Sequence, residues 1–135
     1  MRVVCRQRCI GWLGLVGGFV LLCLTGRAQL LTNNGAQVTL REGVMVVVNG
    51  DVLQQGGAAS IQAYDGATLR VAGSVTVQSG NIQLQDTALM QVTQNMTIHS
   101  GATVDRGGTG SLQVQGNLTN HGTINNTGTV EVGPP

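Results

Sequence analysis

Aromatic residues are nearly missing from this chain, whose 135 residues include one Trp, one Phe and one Tyr. Lysine is absent, and the two prolines, Pro134 and Pro135, stand together at the C-terminal end. Trp12, Phe19, the three cysteines (Cys5, Cys9, Cys23) and four of the seven arginines all fall in the first 28 residues. Beyond them Tyr64 is the sole aromatic side chain, so there is no stacking platform for a sugar ring or a base. Without cysteine, neither disulfides nor a thiolate metal site can hold that part together. Arg41, Arg70 and Arg106 stand against Glu42, Asp51, Asp65, Asp86, Asp105 and Glu131, a formal charge of −3 over residues 29–135. That balance carries no basic footprint for nucleic acid.

The first 28 residues follow a different chemistry. Arg2, Arg6 and Arg8 form a positive start, Ile10 to Leu24 is an uncharged apolar run, and Gly26-Arg27-Ala28 supplies small residues for a signal peptidase. The reading is a signal peptide over 1–28, cleaved before Gln29, with a mature domain over 29–135 that is secreted or displayed at the cell surface. The rival is a retained membrane anchor, because 18 uncharged residues separate Arg8 from Arg27 and a span needs roughly 17 to 25. Five glycines dilute that stretch, which favours cleavage.

What the remainder does contain is a repeat. Val46-Val47-Val48-Asn49-Gly50-Asp51-Val52, Leu69-Arg70-Val71-Ala72-Gly73-Ser74-Val75, Met90-Gln91-Val92-Thr93-Gln94-Asn95-Met96 and Leu112-Gln113-Val114-Gln115-Gly116-Asn117-Leu118 begin 23, 21 and 22 residues apart. A shortened copy starts at Val130-Glu131-Val132. A period near 22 without helical patterning means that each unit is one coil, which buries its apolar face only by stacking on its neighbours.

Inside a unit the apolar residues alternate. Leu69, Val71, Gly73, Val75 and Val77 share one parity, and Arg70, Ala72, Ser74 and Thr76 take the other, as in strands with one buried face. Gly73 falls in the inward series and predicts a corner joining two short strands; Gly50 and Gly116 repeat it, and Gln94 interrupts it. A turn at Gln78-Ser79-Gly80 resets the register before a third inward pair, Ile82 and Leu84. The expectation is an all-β fold: a single-stranded parallel β-helix, or β-solenoid, of about four to five coils of about 22 residues, right-handed like most parallel crossovers. Three-sided and flattened two-sided coils are both compatible with this pattern. Asn33-Asn34-Gly35 reads as a turn leading into the first coil, and the terminal prolines would blunt the last edge. The inward series predicts a core running from Val38, Leu40, Val46 and Val48 through the middle units to Leu118, Ile124, Val130 and Val132.

Stacking makes residues one period apart neighbours, so chemistry is to be sought down columns. Glu42, Asp65, Asp86, Gly108 and Asn126 form one. Stacked carboxylates could hold Ca²⁺, but short polar residues before Gly or Thr are also what turns use, and the turn reading is the plainer one. Glu42, Asp65 and Asp86 are therefore weak metal candidates, with Ca²⁺ as the ion they would take. Gly107-Gly108-Thr109-Gly110 starts like a calcium-binding nonapeptide, but Leu112 stands where that motif needs Asp. Asp51, Ser74, Asn95 and Asn117 read as a hydrogen-bonded ladder at the corner. Gln55, Gln78, His99 and His121 place two histidines one period apart with no third ligand evident, so exposed turn histidines are expected. Thr76, Thr97 and Thr119 form an outward rank, interrupted by Leu53, of a residue that favours exposed strand positions. No catalytic or cofactor-binding residue is assigned.

The stretches Asp65 to Val77 and Leu112 to Ile124 carry a resemblance to the repeats of bacterial secreted β-solenoids of the adhesin and autotransporter-passenger type, over roughly residues 36–132. The resemblance implies surface display, adhesion to a glycan or protein, or a structural stalk, and a truncated relative, since this chain is short for that family. Gly50-Asp51-Val52 and Gly73-Ser74-Val75 also resemble bactofilin-type polymer-forming helices, and the five-unit layout resembles curli-like fibre subunits. Both imply end-to-end self-association. The expected function is thus a non-enzymatic, exported structural or adhesive solenoid, with a self-assembling fibre subunit and a carbohydrate-active β-helix enzyme as alternatives. No nucleic-acid partner is expected, and membrane contact only through an uncleaved N-terminal segment.

Overall fold

The computed structural model describes residues 29–133. The leader over 1–28 and the terminal Pro134-Pro135 lie outside the described residues. Alternating apolar residues close the chain into five successive coils of three strands. The first holds β1 (Gln29–Asn34), β2 (Gln37–Leu40) and β3 (Met45–Val48), and the second β4 (Gly50–Gln55), β5 (Ser60–Ala63) and β6 (Thr68–Val71). β7 (Val75–Val77), β8 (Gly80–Leu84) and β9 (Leu89–Val92) form the third, with β10 (Met96–Ile98), β11 (Ala102–Arg106) and β12 (Ser111–Val114) the fourth. The fifth comprises β13 (Leu118–Asn120), β14 (Thr123–Asn126) and β15 (Thr129–Val132).

Each strand pairs in parallel with its counterpart one coil on, giving three five-stranded sheets. The first runs β1-β4-β7-β10-β13, the second β2-β5-β8-β11-β14 and the third β3-β6-β9-β12-β15. The coil is thus three-sided. The repeated phrases found in the sequence are the passage from the third sheet around a corner into the first. The step from strand to strand stays at 21 to 23 residues until the last coil, where Thr103 pairs with Thr123 and Ser111 with Thr129. Its turns are shorter, which moves Asn126 out of the turn column expected for it and into β14 opposite Arg106.

The inward rows pack as the alternation predicts. Val52, Val75 and Met96 stack from the first sheet, Ile61, Ile82 and Val104 from the second, and Leu69, Met90 and Leu112 from the third, all buried. The core thins at both ends, where Val38, Val46, Leu118 and Ile124 are only partly covered. Val132, expected in the core, is 53% exposed because β15 is the outermost strand of its sheet among the described residues.

Several details differ from expectation. Asn33 and Asn34 belong to β1 rather than to a turn. Asn33 points inward, donates from Nδ2 to the Ser60 carbonyl at 3.2 Å and accepts from the Ala36 N–H at 3.0 Å. Two corners are lined by rows of small residues absent from the predicted core: Ala59 and Ala102 at one, Ala67 and Ala88 at the other, all buried. Alanine suits these positions because the chain turns sharply there, leaving little radial space for a side chain. Gln54 and Arg106 also point inward and are buried.

The glycine corner works by a different cause from the one read off the parity. A Cβ on Gly73 would meet the Asp51 carboxylate and lie 2.6 Å from the Gly50 carbonyl carbon, so the obstacle is the preceding coil and not the core. Gly116 stands likewise against the Gln94 carbonyl oxygen, 2.7 Å away. Gln94 occupies the same row with its side chain exposed, which is how this coil manages without glycine.

Candidate functional site

Turns, corners and outward strand faces place the candidate residues. Glu42, Asp65 and Asp86 all adopt left-handed backbone, with φ of 57°, 52° and 56°, and Gly108 follows at 65°. The turns close by bonds from the Val44 N–H to the Arg41 carbonyl, from Ala67 to Tyr64 and from Ala88 to Gln85. The column is therefore a column of tight turns, in which aspartate and glycine tolerate the conformation better than most residues. All three carboxylate residues are exposed. Among the described residues no group of three or more His, Cys, Asp or Glu could hold a metal ion.

The corner column is brought together as a chain of caps. Asp51 accepts from the Ser74 N–H at 2.8 Å, Ser74 Oγ contacts Gln94 Oε1 at 3.3 Å, and Asn95 Oδ1 accepts from the Asn117 N–H at 2.9 Å. The first and last are side-chain bonds to the next coil's backbone and the middle one joins two side chains, so none is an amide-to-amide contact. The two histidines lie in adjacent exposed turns, their backbone N–H groups bonded to the Val77 and Ile98 carbonyls. The threonine rank runs down the first sheet as Thr32, Leu53, Thr76, Thr97 and Thr119, in register throughout and broken at Leu53 as expected.

Amide ladders do occur, on the two other faces. On the second sheet Gln37 Nε2 donates to Gln62 Oε1 at 2.7 Å, and Gln62 Nε2 to Gln83 Oε1 at 3.0 Å. Tyr64 contacts the same Gln83 oxygen at 3.4 Å, while the Arg41 guanidinium lies 5.2 Å from the Tyr64 ring centroid. On the third sheet Gln91 Nε2 donates to Gln113 Oε1 at 2.7 Å and Gln113 Nε2 to Glu131 Oε2 at 3.0 Å. The Gln62–Gln83 and Gln91–Gln113 spacings of 21 and 22 residues match the repeat, so the period contained their signal, whereas Gln37 reaches Gln62 diagonally across 25 residues from the row of Ser60.

The third sheet also carries a shallow groove of about 180 Å³ parallel to the solenoid axis. One wall is the row Arg70, Gln91 and Gln113, the other Ala72, Thr93 and Gln115, with Val71 and Val92 between them. Its chemistry is one guanidinium, several amides and a hydroxyl, at strand spacings of about 4.8 Å. Such a strip offers alternating donors and acceptors to a polar chain laid along it. No protein-family model, curated protein or solved structure matches this chain.

Proposed function

We propose that this protein is an exported, non-enzymatic β-solenoid that serves as a structural or adhesive scaffold. The observation that carries the reading is the third sheet: a rigid face where glutamine ladders fix a polar row beside a shallow groove, with Arg70 as its cation. A preorganised row of amides binds an extended polar partner at little cost in side-chain ordering. The partner class is a surface glycan or an extended protein segment. Binding of the full chain to a panel of surface polysaccharides and peptides tests it: Arg70→Ala and Gln91→Ala are expected to weaken whatever binds wild type, with the β-rich circular dichroism spectrum unchanged. Equal binding by both variants would remove the groove from the mechanism.

A second reading, the self-assembling subunit, draws on the outermost strands. β1, β2 and β3 at one end and β13, β14 and β15 at the other each lack a partner on one side among the described strands, and unpaired edges invite pairing with another chain. Sedimentation over a concentration series tests this reading, which a persistent monomer would exclude. Release of sugar from an acidic polysaccharide by the purified chain would instead favour the enzyme alternative.

A further inference from the structure

Exposed large apolar side chains are concentrated in one coil. Leu30 (52% exposed), Val44 (47%), Met45 (61%) and Val47 (54%) all belong to the first, and the three coils after it contribute none to that set. The change is abrupt along each column. Leu30 is followed by Asp51, Met45 by Thr68 and Val47 by Arg70, while Val44 gives way to the buried Ala67. These residues also do not share a face: Leu30 lies on the first sheet, Met45 and Val47 on the third, and Val44 at the corner before it. A protein partner docking from the side would cover one face. Apolar residues occupy two of the three faces at a single axial level, with polar ones one coil above, while Gln37 and Thr39 keep the second-sheet face of that coil polar, so the coil carries an apolar belt on two sides beside a polar third.

The sequence carries an apolar stretch just before that coil. The uncharged stretch between Arg8 and Arg27 ends just before Gln29, where β1 begins, and residues 27–29 can span no more than about 10 Å. Arg27, at the junction, is the flanking cation that lipid headgroups favour. We propose that the apolar stretch is retained, in place of the cleavage favoured by its composition, and that the first coil rests in the headgroup region of a lipid bilayer, so that the solenoid stands on the membrane by its N-terminal end. One coil rises about 4.8 Å, whereas interfacial elements enter about 5 to 10 Å, so the depth matches the single coil that carries the exposed apolar residues. The outer edges of β1, β2 and β3, unpaired among the described strands, limit deeper entry, because hydrocarbon cannot satisfy their backbone groups. Val47 also lines one end of the third-sheet groove, so the quenching profile, and not groove binding, is the readout that separates this inference from the proposed function.

The column Met45, Thr68, Leu89 and Ser111 provides a ruler. Single cysteines at these positions and at Leu30, in the full chain carrying Cys5→Ser, Cys9→Ser and Cys23→Ser, would be labelled with a fluorophore. The labelled chains would then be reconstituted in phosphatidylcholine–phosphatidylglycerol vesicles containing brominated lipid. Quenching is expected to be strong at 30 and 45, weak at 68 and at the lipid-free level at 89 and 111. The pair Met45→Glu and Val47→Glu, which leaves the inward rows untouched, should diminish quenching at 30. Equal quenching along the column would mean that the solenoid lies flat, and no quenching at 45 would mean that the end is free of lipid. Protection at 45 without quenching at 30, growing with protein concentration, would assign the patch to a second copy. Each of these outcomes overturns the proposal, as does recovery from cells of a soluble chain that begins at Gln29.

Discussion

Asp51 and Ser74 are joined across one coil boundary by a 2.8 Å bond, in which the Ser74 backbone N–H donates to the Asp51 carboxylate. The next corner but one repeats the arrangement with Asn95 and the Asn117 N–H at 2.9 Å. The bend interrupts regular strand pairing, and a short acceptor from the coil below takes over the freed donor. A hydrogen bond of this kind contributes about 1 kcal/mol, more when the acceptor is charged. Asp51→Ala is therefore expected to lower the unfolding free energy by about 1 to 2 kcal/mol, and Asn95→Ala by about 1 kcal/mol. Asp51→Asn should recover most of the loss, since the amide oxygen can still accept. Urea denaturation of the three variants checks the order; equal stability of Asp51→Ala and wild type would show that the bond adds nothing.

Gly80 and Gly101 separate two reasons for glycine. Both have φ of +85°, yet a Cβ on Gly80 would collide with the Ala59 carbonyl oxygen, whereas one on Gly101 meets nothing within 4 Å. Gly101→Ala should cost only the backbone penalty, about 1 kcal/mol. Gly80→Ala adds steric displacement of the preceding coil and should cost about 2 to 4 kcal/mol in all. Thermal melts of both variants test the difference. Similar losses would show that the preceding coil yields at that corner.

The period and parity assigned Leu69, Val71, Val75 and Val77 to the interior, because stacked strands leave no other place for alternating apolar residues. The same parity also points Arg106 inward behind Val104, although arginine is a residue type that is almost never fully buried. Ala59, Ala67, Ala88 and Ala102 carry no such signal, because alanine suits interior and surface alike; only the sharpness of the corners decides their role. The Asn33 error arose because Asn-Asn-Gly is a strong turn signal, and the turn does occur at Gly35, whose φ is +77°, one residue after β1 ends. The Gln91–Gln113 ladder follows from the 22-residue spacing. The groove beside it depends on how far side chains of adjacent rows splay, which no spacing encodes.

Glu42 stands in left-handed backbone at φ 57°, a conformation that costs an ordinary L-residue about 1 to 2 kcal/mol and aspartate less. Glu42→Gly should raise stability by about 0.5 to 1 kcal/mol after allowing for the greater freedom of glycine in the unfolded chain. Asp65→Gly, in the equivalent turn at φ 52°, should gain less. Differential scanning calorimetry with and without Ca²⁺ tests this ranking together with the weak metal reading. Turn residues alone predict the same ranking in both conditions, whereas a calcium column predicts that both substitutions abolish a Ca²⁺-dependent rise in melting temperature.

Arg106 is the least expected interior residue. It follows Leu40, Ala63 and Leu84 in an inward row of the second sheet, is 2% exposed, and none of its three guanidinium nitrogens has a hydrogen-bond partner among the described residues. Removal from water disfavours its charged form and holds its pKa below the ordinary arginine value. An unpaired buried cation costs several kcal/mol even after the surroundings relax. Arg106→Met fills similar length without charge and is expected to stabilise the fold by about 2 kcal/mol or more. The sign of the pH dependence follows from the lowered pKa. The penalty is fully present at pH values below the folded-state pKa, and it lessens as pH rises through that value toward the unfolded one, because the folded chain sheds the proton first. Wild type should thus gain stability relative to Arg106→Met as pH rises through the folded-state value, while the gap between the two stays constant at pH well below it. Parallel urea titrations at neutral and high pH measure it; a less stable Arg106→Met would mean that the guanidinium is partnered in solution.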